Sequence, residues 1–163
     1  MNIKEYIKNN ILYLDGAMGT LLQAQGLKSG ELPERWNITH SDIVKKIHLD
    51  YYNAGSNVVS ANTFGANILK FDETELEEII KAAVENVRYA RDESCGMQEK
   101  WIALDIGPSG RMLAPYGDFD FEDAVETFAK TVRLGVKYGV DVIFIQTMND
   151  SYEAKAGIIA CKE

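Results

Sequence analysis

Four short runs of aliphatic, β-branched and aromatic residues recur along the chain: Ile11-Leu12-Tyr13-Leu14, Asn57-Val58-Val59-Ser60, Trp101-Ile102-Ala103-Leu104 and Val142-Ile143-Phe144-Ile145. Short runs that are apolar on both sides of the backbone are the pattern of strands buried in a parallel sheet. The steps from Leu12 to Val58, to Ile102 and to Ile143 are 46, 44 and 41 residues. Helical periodicity fills each interval. One helix is predicted over 41–54, opened by Ser41-Asp42, with Ile43, Ile47 and Tyr51 along it and Gly55 at its C-terminal end. A second, over 74–91, places Leu76, Ile79, Ile80, Ala83, Val84 and Val87 on one face behind a Glu-rich first turn. A third spans 121–138 and ends at Gly139; a fourth spans 151–162. Segments 26–36 and 107–117 read as long loops rich in Gly and Pro.

The pattern is therefore α/β, a βα unit repeated four times within one domain, 1–163. Four consecutive units are compatible with a doubly wound sheet and with the first four units of a TIM-type (βα)8 barrel, a half-barrel.

Composition narrows the partners. The chain is 46% hydrophobic and 26% charged with net charge −8, a globular balance whose acidity argues against nucleic acid. No stretch nears the ~20 apolar residues of a membrane span. Residues 1–10 mix Lys, Glu and Asn without a signal-peptide core, so the expectation is a cytoplasmic protein. Cys95 and Cys161 lack metal-ligand spacing and read as two reduced thiols. His40 and His48, eight apart, define no metal site.

Each run ends in polar residues: Asp15, Asn62-Thr63, Asp105 and Gln146-Thr147. In parallel βα architectures the loops beyond the strands' C-terminal ends form the site. A polar residue there also caps a helix or closes a turn, so each position keeps both readings. Asp15-Gly16-Ala17-Met18-Gly19-Thr20 lets the backbone approach a ligand, and its N–H groups suit a carboxylate. It is neither a dinucleotide fingerprint nor a P-loop. Asp105-Ile106-Gly107-Pro108-Ser109-Gly110 repeats the theme. No Ser–His or Cys–His pair is available, and an Asp15–Asp105 acid/base pair is one option left open.

Those two motifs, with Pro33-Glu34-Arg35-Trp36-Asn37 and Asn62-Thr63-Phe64-Gly65-Ala66-Asn67 in order between them, resemble the homocysteine S-methyltransferase (homocysteine-binding domain) family, in the form that opens cobalamin-dependent methionine synthase. The resemblance runs along essentially the whole chain. It implies a (βα)8 barrel that binds homocysteine at its C-terminal face for methylation to methionine. In the full-length family a zinc ion held by three cysteines makes the thiolate, and cobalamin serves the methionine synthase type.

Carried onto matching positions, the resemblance implies substrate binding by Asp15, Gly16, Ala17, Asn62, Thr63, Asp105 and Gln146, with the ligand carboxylate on the first glycine loop and its ammonium on acidic groups including Asp15. Two departures stand out. The zinc cysteines follow strands six and eight of the family barrel, so this chain is expected to hold no catalytic or metal residue, to bind neither zinc nor cobalamin, and to be inactive alone. The family's Glu-Thr after strand four is here Gln146-Thr147, which keeps hydrogen bonding without the charge. The alternatives are a non-catalytic half-barrel that pairs with itself or with a complementary half, and a small α/β protein binding another amino acid or anion through the Asp15 and Asp105 loops.

Overall fold

The computed structural model describes residues 2–162. In chain order the elements are α1 (Ile3–Tyr6), α2 (Gly19–Ala24), a 3-10 turn (Pro33–Arg35), α3 (Trp36–Thr39), α4 (Ser41–Asn53), β1 (Val58–Ser60), α5 (Glu73–Glu93), β2 (Trp101–Ile106), α6 (Phe121–Tyr138), β3 (Val142–Ile145) and α7 (Ser151–Ala160). The sheet is parallel in the order β1-β2-β3, with Ser60 opposite Ala103 and Asp105 opposite Phe144. Leu14 forms a parallel bridge to Val58 on the outer side of β1. Spatial order thus follows chain order without the reversal that marks a doubly wound sheet.

The four long helices fall where the periodicity places them, within two residues at each end. Asp72 caps α5 by accepting from the Glu75 N–H, and Asp150 caps α7 by accepting from the Tyr152 N–H. Gly139 takes φ +88° just beyond α6, a left-handed C-terminal residue that a side chain disfavours.

Three expectations are corrected. The run 11–14 is not a strand. Only Leu14 is bridged, while the Tyr13 carbonyl accepts from the N–H groups of both Asn57 and Val58. With a neighbour on one side alone, Ile11, Tyr13 and Leu14 stay exposed instead of buried on both faces. The strand predicted over 101–104 continues to Ile106, which brings Asp105 inside the sheet. The segment 26–36 is not all loop, because Pro33 begins the 3-10 turn that leads into α3. A proline's fixed φ and missing N–H are harmless in a first turn.

Strand alternation sorts the side chains onto two faces. Val59, Ile102 and Leu104 face the helices. Val59 and Ile102 pack with Tyr52, Ala83 and Val87, whereas Leu104 joins Ile79, Ile80, Val84, Phe128 and Val132. Each fully buried side chain of this size contributes about 1.5–3 kcal/mol. Val58, Trp101 and Ala103 face the other way, against Tyr6 and Leu12. Tyr6 meets Trp101 edge to face, with centroids 5.1 Å apart. Among the described residues no helix is long and apolar enough to cross a membrane.

Candidate functional site

The face turned away from the helices ends in polar residues. By alternation, Ser60 follows Val58, Asp105 follows Ala103, and Gln146 follows Phe144 on that side. In-register parallel pairing places these three at the same end of the sheet. The Asp15 carboxylate joins them, accepting from the Ser60 N–H at 2.8 Å and from the Ser60 hydroxyl at 3.1 Å. A cleft of about 420 Å³ opens over this end.

Of the sequence-predicted residues, Asp15, Gly16, Ala17, Asn62, Asp105 and Gln146 line that cleft together. Thr63 does not line it. Its buried hydroxyl donates to the Asp105 carbonyl at 2.9 Å and accepts from the Asp105 N–H at 3.1 Å, tying the end of β1 to β2. Asn62 contributes to the wall from a fixed position: its side-chain N–H donates to the Pro33 carbonyl at 2.8 Å, and its own carbonyl accepts from Asn37 at 2.8 Å. These bonds hold the 3-10 turn against the strand end and bring Glu34 to the cleft. Glu34 is buried, and its carboxylate accepts from the Gly65 N–H at 2.7 Å.

The glycine loop is braced from beneath. The Tyr51 hydroxyl donates to the Ala17 carbonyl at 2.9 Å. A Cβ at position 16 would come within 3.0 Å of that hydroxyl and 3.3 Å of the ring. A side chain at position 16 would therefore press on the Tyr51 ring, which would have to give by a few tenths of an ångström. On the opposite wall the Gln146 side chain donates to Asp105 Oδ1 at 2.5 Å. The next residue, Thr147, has φ 61°. A non-glycine residue in this left-handed region costs on the order of 1 kcal/mol, a strain typical of functional loops.

Asp15, Glu34 and Asp105 line the cleft, and among the described residues no Lys, Arg or His lines it; a Cβ on Gly65 would meet both the Glu34 carboxylate and Lys70 Nζ, so the nearest cation stands behind Glu34. Burial raises the Asp15 carboxyl to about 6, against hydrogen bonds from Ser60 that favour its ionised form. Burial likewise raises Asp105 to about 6; the Gln146 bond opposes the rise, and the negative charges of Asp15 and Glu34 add to it. Such a wall attracts a cation with N–H donors.

Tyr51, Ser60 and Glu34 belong to this site although the residues alone did not single them out. Ser60 was accessible in principle, since it sits two residues beyond Val58 on the same strand face. Tyr51 was not, because its role depends on how α4 crosses beneath a loop 34 residues away.

The cysteines lie elsewhere. Exposed Cys95 accompanies Asn53, and Cys161 closes α7. Neither lines the cleft, and among the described residues no group of three or more His, Cys, Asp or Glu could hold a metal ion. These residues do not fit a zinc–thiolate centre.

The fold is similar to that of the Escherichia coli homocysteine methyltransferase MmuM. The oxidized form superposes with a TM-score of 0.81 at 23% identity, covering 94% of this chain and 59% of that one. The metallated form gives 0.80 at 23% identity, covering 94% and 60%. The apo form gives 0.76 at 26% identity, covering 96% and 56%. The chain thus spans less than two thirds of the length of these structures, and the shared architecture is that of part of a TIM-type barrel. Residues 12–163 match the family model of the homocysteine S-methyltransferases, and the chain belongs to that family.

Proposed function

We propose that these residues form the amino-acid-binding wall of a homocysteine S-methyltransferase, and that the domain 1–163 is a half-barrel of four βα units. Homocysteine lies with its ammonium against Asp15 and Asp105, its carboxylate on the N–H groups of the Gly16-Ala17 loop, and its thiol toward the open rim. The observation that carries this reading is the convergence of the Asp15 and Asp105 carboxyls beside a glycine loop, in a cleft that no Lys, Arg or His among the described residues lines. A primary ammonium supplies the missing positive charge and the donors. Asn62 shapes the wall, and Thr63 fixes the backbone of Asp105.

In this reading the 163-residue polypeptide binds but does not methylate. Activating the thiol requires ligands that these residues do not supply, so methyl transfer to methionine, with cobalamin in the methionine synthase type, depends on further chain. Calorimetry with L-homocysteine tests the binding role. Heat of binding is expected at pH 7.5 with or without zinc, and none after Asp15→Asn combined with Asp105→Asn. Binding that needs zinc, or that survives the double substitution, rejects it.

A second reading has its own observation. β3 is as apolar as β2 yet only half-buried, and Ile11 and Tyr13 are exposed at the opposite flank. Surfaces of this kind suit an assembly module that pairs with a second copy or with a complementary half-barrel.

A further inference from the structure

A second cavity, of about 900 Å³, opens between the loop after β2 and the first turn of α7, and it shares no lining residue with the cleft. Pro108 and Gly110, from the motif that begins at Asp105, lie on its wall with residues 111–116 and 149–153. Small-molecule sites occupy volumes of about 300–1,000 Å³, so this one has room for a whole ligand.

Hydrogen bonds hold its walls in place. Leu113 bridges Phe119, the Ala114 N–H donates to the Phe119 carbonyl at 3.0 Å, and the Gly117 N–H donates to the Leu113 carbonyl at 2.9 Å, so the loop closes on itself. On the facing wall the Tyr152 ring meets Phe121 edge to face, with centroids 6.4 Å apart. Met112, Tyr116 and Tyr152 line the cavity and are all more than half exposed. Large apolar side chains displayed together around a concavity mark a binding surface.

Glu153 supplies the chemistry. It is only 4% exposed, yet it too lines the cavity. One of its oxygens, Oε1, accepts from the Ser109 N–H at 2.8 Å and from the Ser109 hydroxyl at 2.5 Å. A glutamine carbonyl would accept the same two bonds, so this clamp on the loop does not require a charge. Among the described residues no hydrogen bond or ion pair reaches Oε2, which is the part of the carboxylate left to face the cavity. A buried carboxylate is costly until a partner brings it charge and donors. The cavity's own cation, Arg111, is already paired with Asp118 at 2.9 Å, and the other charge on the wall, Asp150, is negative.

We propose that this cavity is a second ligand site, for a small organic ammonium on an aromatic or branched apolar body. The ammonium donates to Glu153 Oε2 and supplies the charge that the wall lacks, while Met112, Tyr116 and Tyr152 cover the body. An anion is repelled by Glu153 and Asp150, and a neutral molecule leaves the Glu153 charge unmatched.

The test titrates the 163-residue chain with 2-phenylethylamine at pH 7.5, followed by calorimetry and by the methyl resonance of Met112. Binding is expected, with a shift of that resonance. Phenylethanol, which has the body without the charge, and phenylpropionate, which has the opposite charge, should bind at least about tenfold more weakly. Glu153→Gln keeps an acceptor for Ser109 and removes the charge, and should weaken the amine about tenfold. Met112→Lys sets a like charge at an exposed position outside the clamp and should also weaken it. Asp15→Asn combined with Asp105→Asn should leave the affinity unchanged.

An unmoved Met112 signal overturns the proposal, as does equal affinity for E153Q and the unaltered chain. Binding that disappears in the Asp15 and Asp105 double variant also overturns it, because the amine would then occupy the cleft. If E153Q fails to fold, Met112→Lys decides, and an unchanged affinity there overturns the site.

Discussion

Ionising Asp105 in the cleft costs free energy that the unfolded chain does not bear, because burial and two neighbouring carboxylates oppose its charge. Its folded-state value of about 6 lies above the ordinary 3.8. Between those limits the folded state binds the extra proton, so stability from this group is present below about pH 4 and is lost as pH rises to about 6. His48 acts in the opposite sense. Fully buried, with neither ring nitrogen hydrogen-bonded, it is held neutral down to about 3, and its contribution is lost as pH falls below 6.5. Asp105→Asn keeps an acceptor for Gln146 and removes the charge. It is expected to stabilise the chain by up to about 3 kcal/mol at pH 7.5 and to leave it unchanged at pH 4. Urea unfolding at the two pH values reads the difference, in which the His48 effect cancels. Equal stabilities at pH 7.5 would mean that Asp105 is well solvated. The gain should come with loss of homocysteine binding, the usual exchange where a site stores unfavourable charge. Asp15, Asp105 and Gln146 were legible in the sequence because each ends an apolar run, whereas the raised carboxyl values were not, since they depend on three distant segments meeting.

At the scale of elements, helix periodicity and strand alternation carried most of the information. Helices α4 to α6 could be read because each has an apolar stripe along one face, whereas α7 carries apolar residues around its circumference. The run 11–14 misled because its composition suits a buried strand, while its exposure depends on what lies beside it. Strand β2 was read two residues short because Asp105 looks like a strand end, although the register with β3 continues through Ile106. Close packing between layers is a further property that periodicity does not convey. Gly135 lies on the buried face of α6, and a Cβ there would meet Leu104 Cδ2 at 2.6 Å and Cδ1 at 3.1 Å. Helix propensity alone favours Gly135→Ala by about 1 kcal/mol. Leu104 is fully buried among other side chains, so its displacement costs about 1–3 kcal/mol. The expected outcome is net destabilisation, seen as a lower urea midpoint with an unchanged slope. A raised midpoint would show that α6 and β2 have room between them.

For the whole molecule, the sheet is well covered in its middle and open at both ends. β2 is buried along its length, whereas β3 is half-buried and the run before Asp15 leaves Ile11 69% and Tyr13 60% exposed. Beyond β3, α7 buries Ala156, Gly157 and Ala160 but turns out Tyr152 and Ile158, 64% and 50% exposed. Apolar residues on opposite faces of one helix are the mark of a helix meant to be covered on both. Closure into a barrel is how parallel βα sheets remove such edges, and this fold covers 59% of the longer oxidized MmuM chain. Two flanks of matching character on one body can also meet across a two-fold axis, each edge against the other copy's opposite edge. At micromolar concentration the 163-residue polypeptide is therefore expected to scatter light as a species heavier than one chain, with a mass that grows with concentration. Tyr13→Lys and Ile158→Lys place a charge on each flank at exposed positions, where folding stability should change by less than about 0.5 kcal/mol. Either substitution should shift the chain toward the monomer, and Asp105→Asn should not, because Asp105 belongs to the central strand β2. A monodisperse monomer that binds no hydrophobic dye would show the open ends to be self-sufficient, and the half-barrel reading would fall with them.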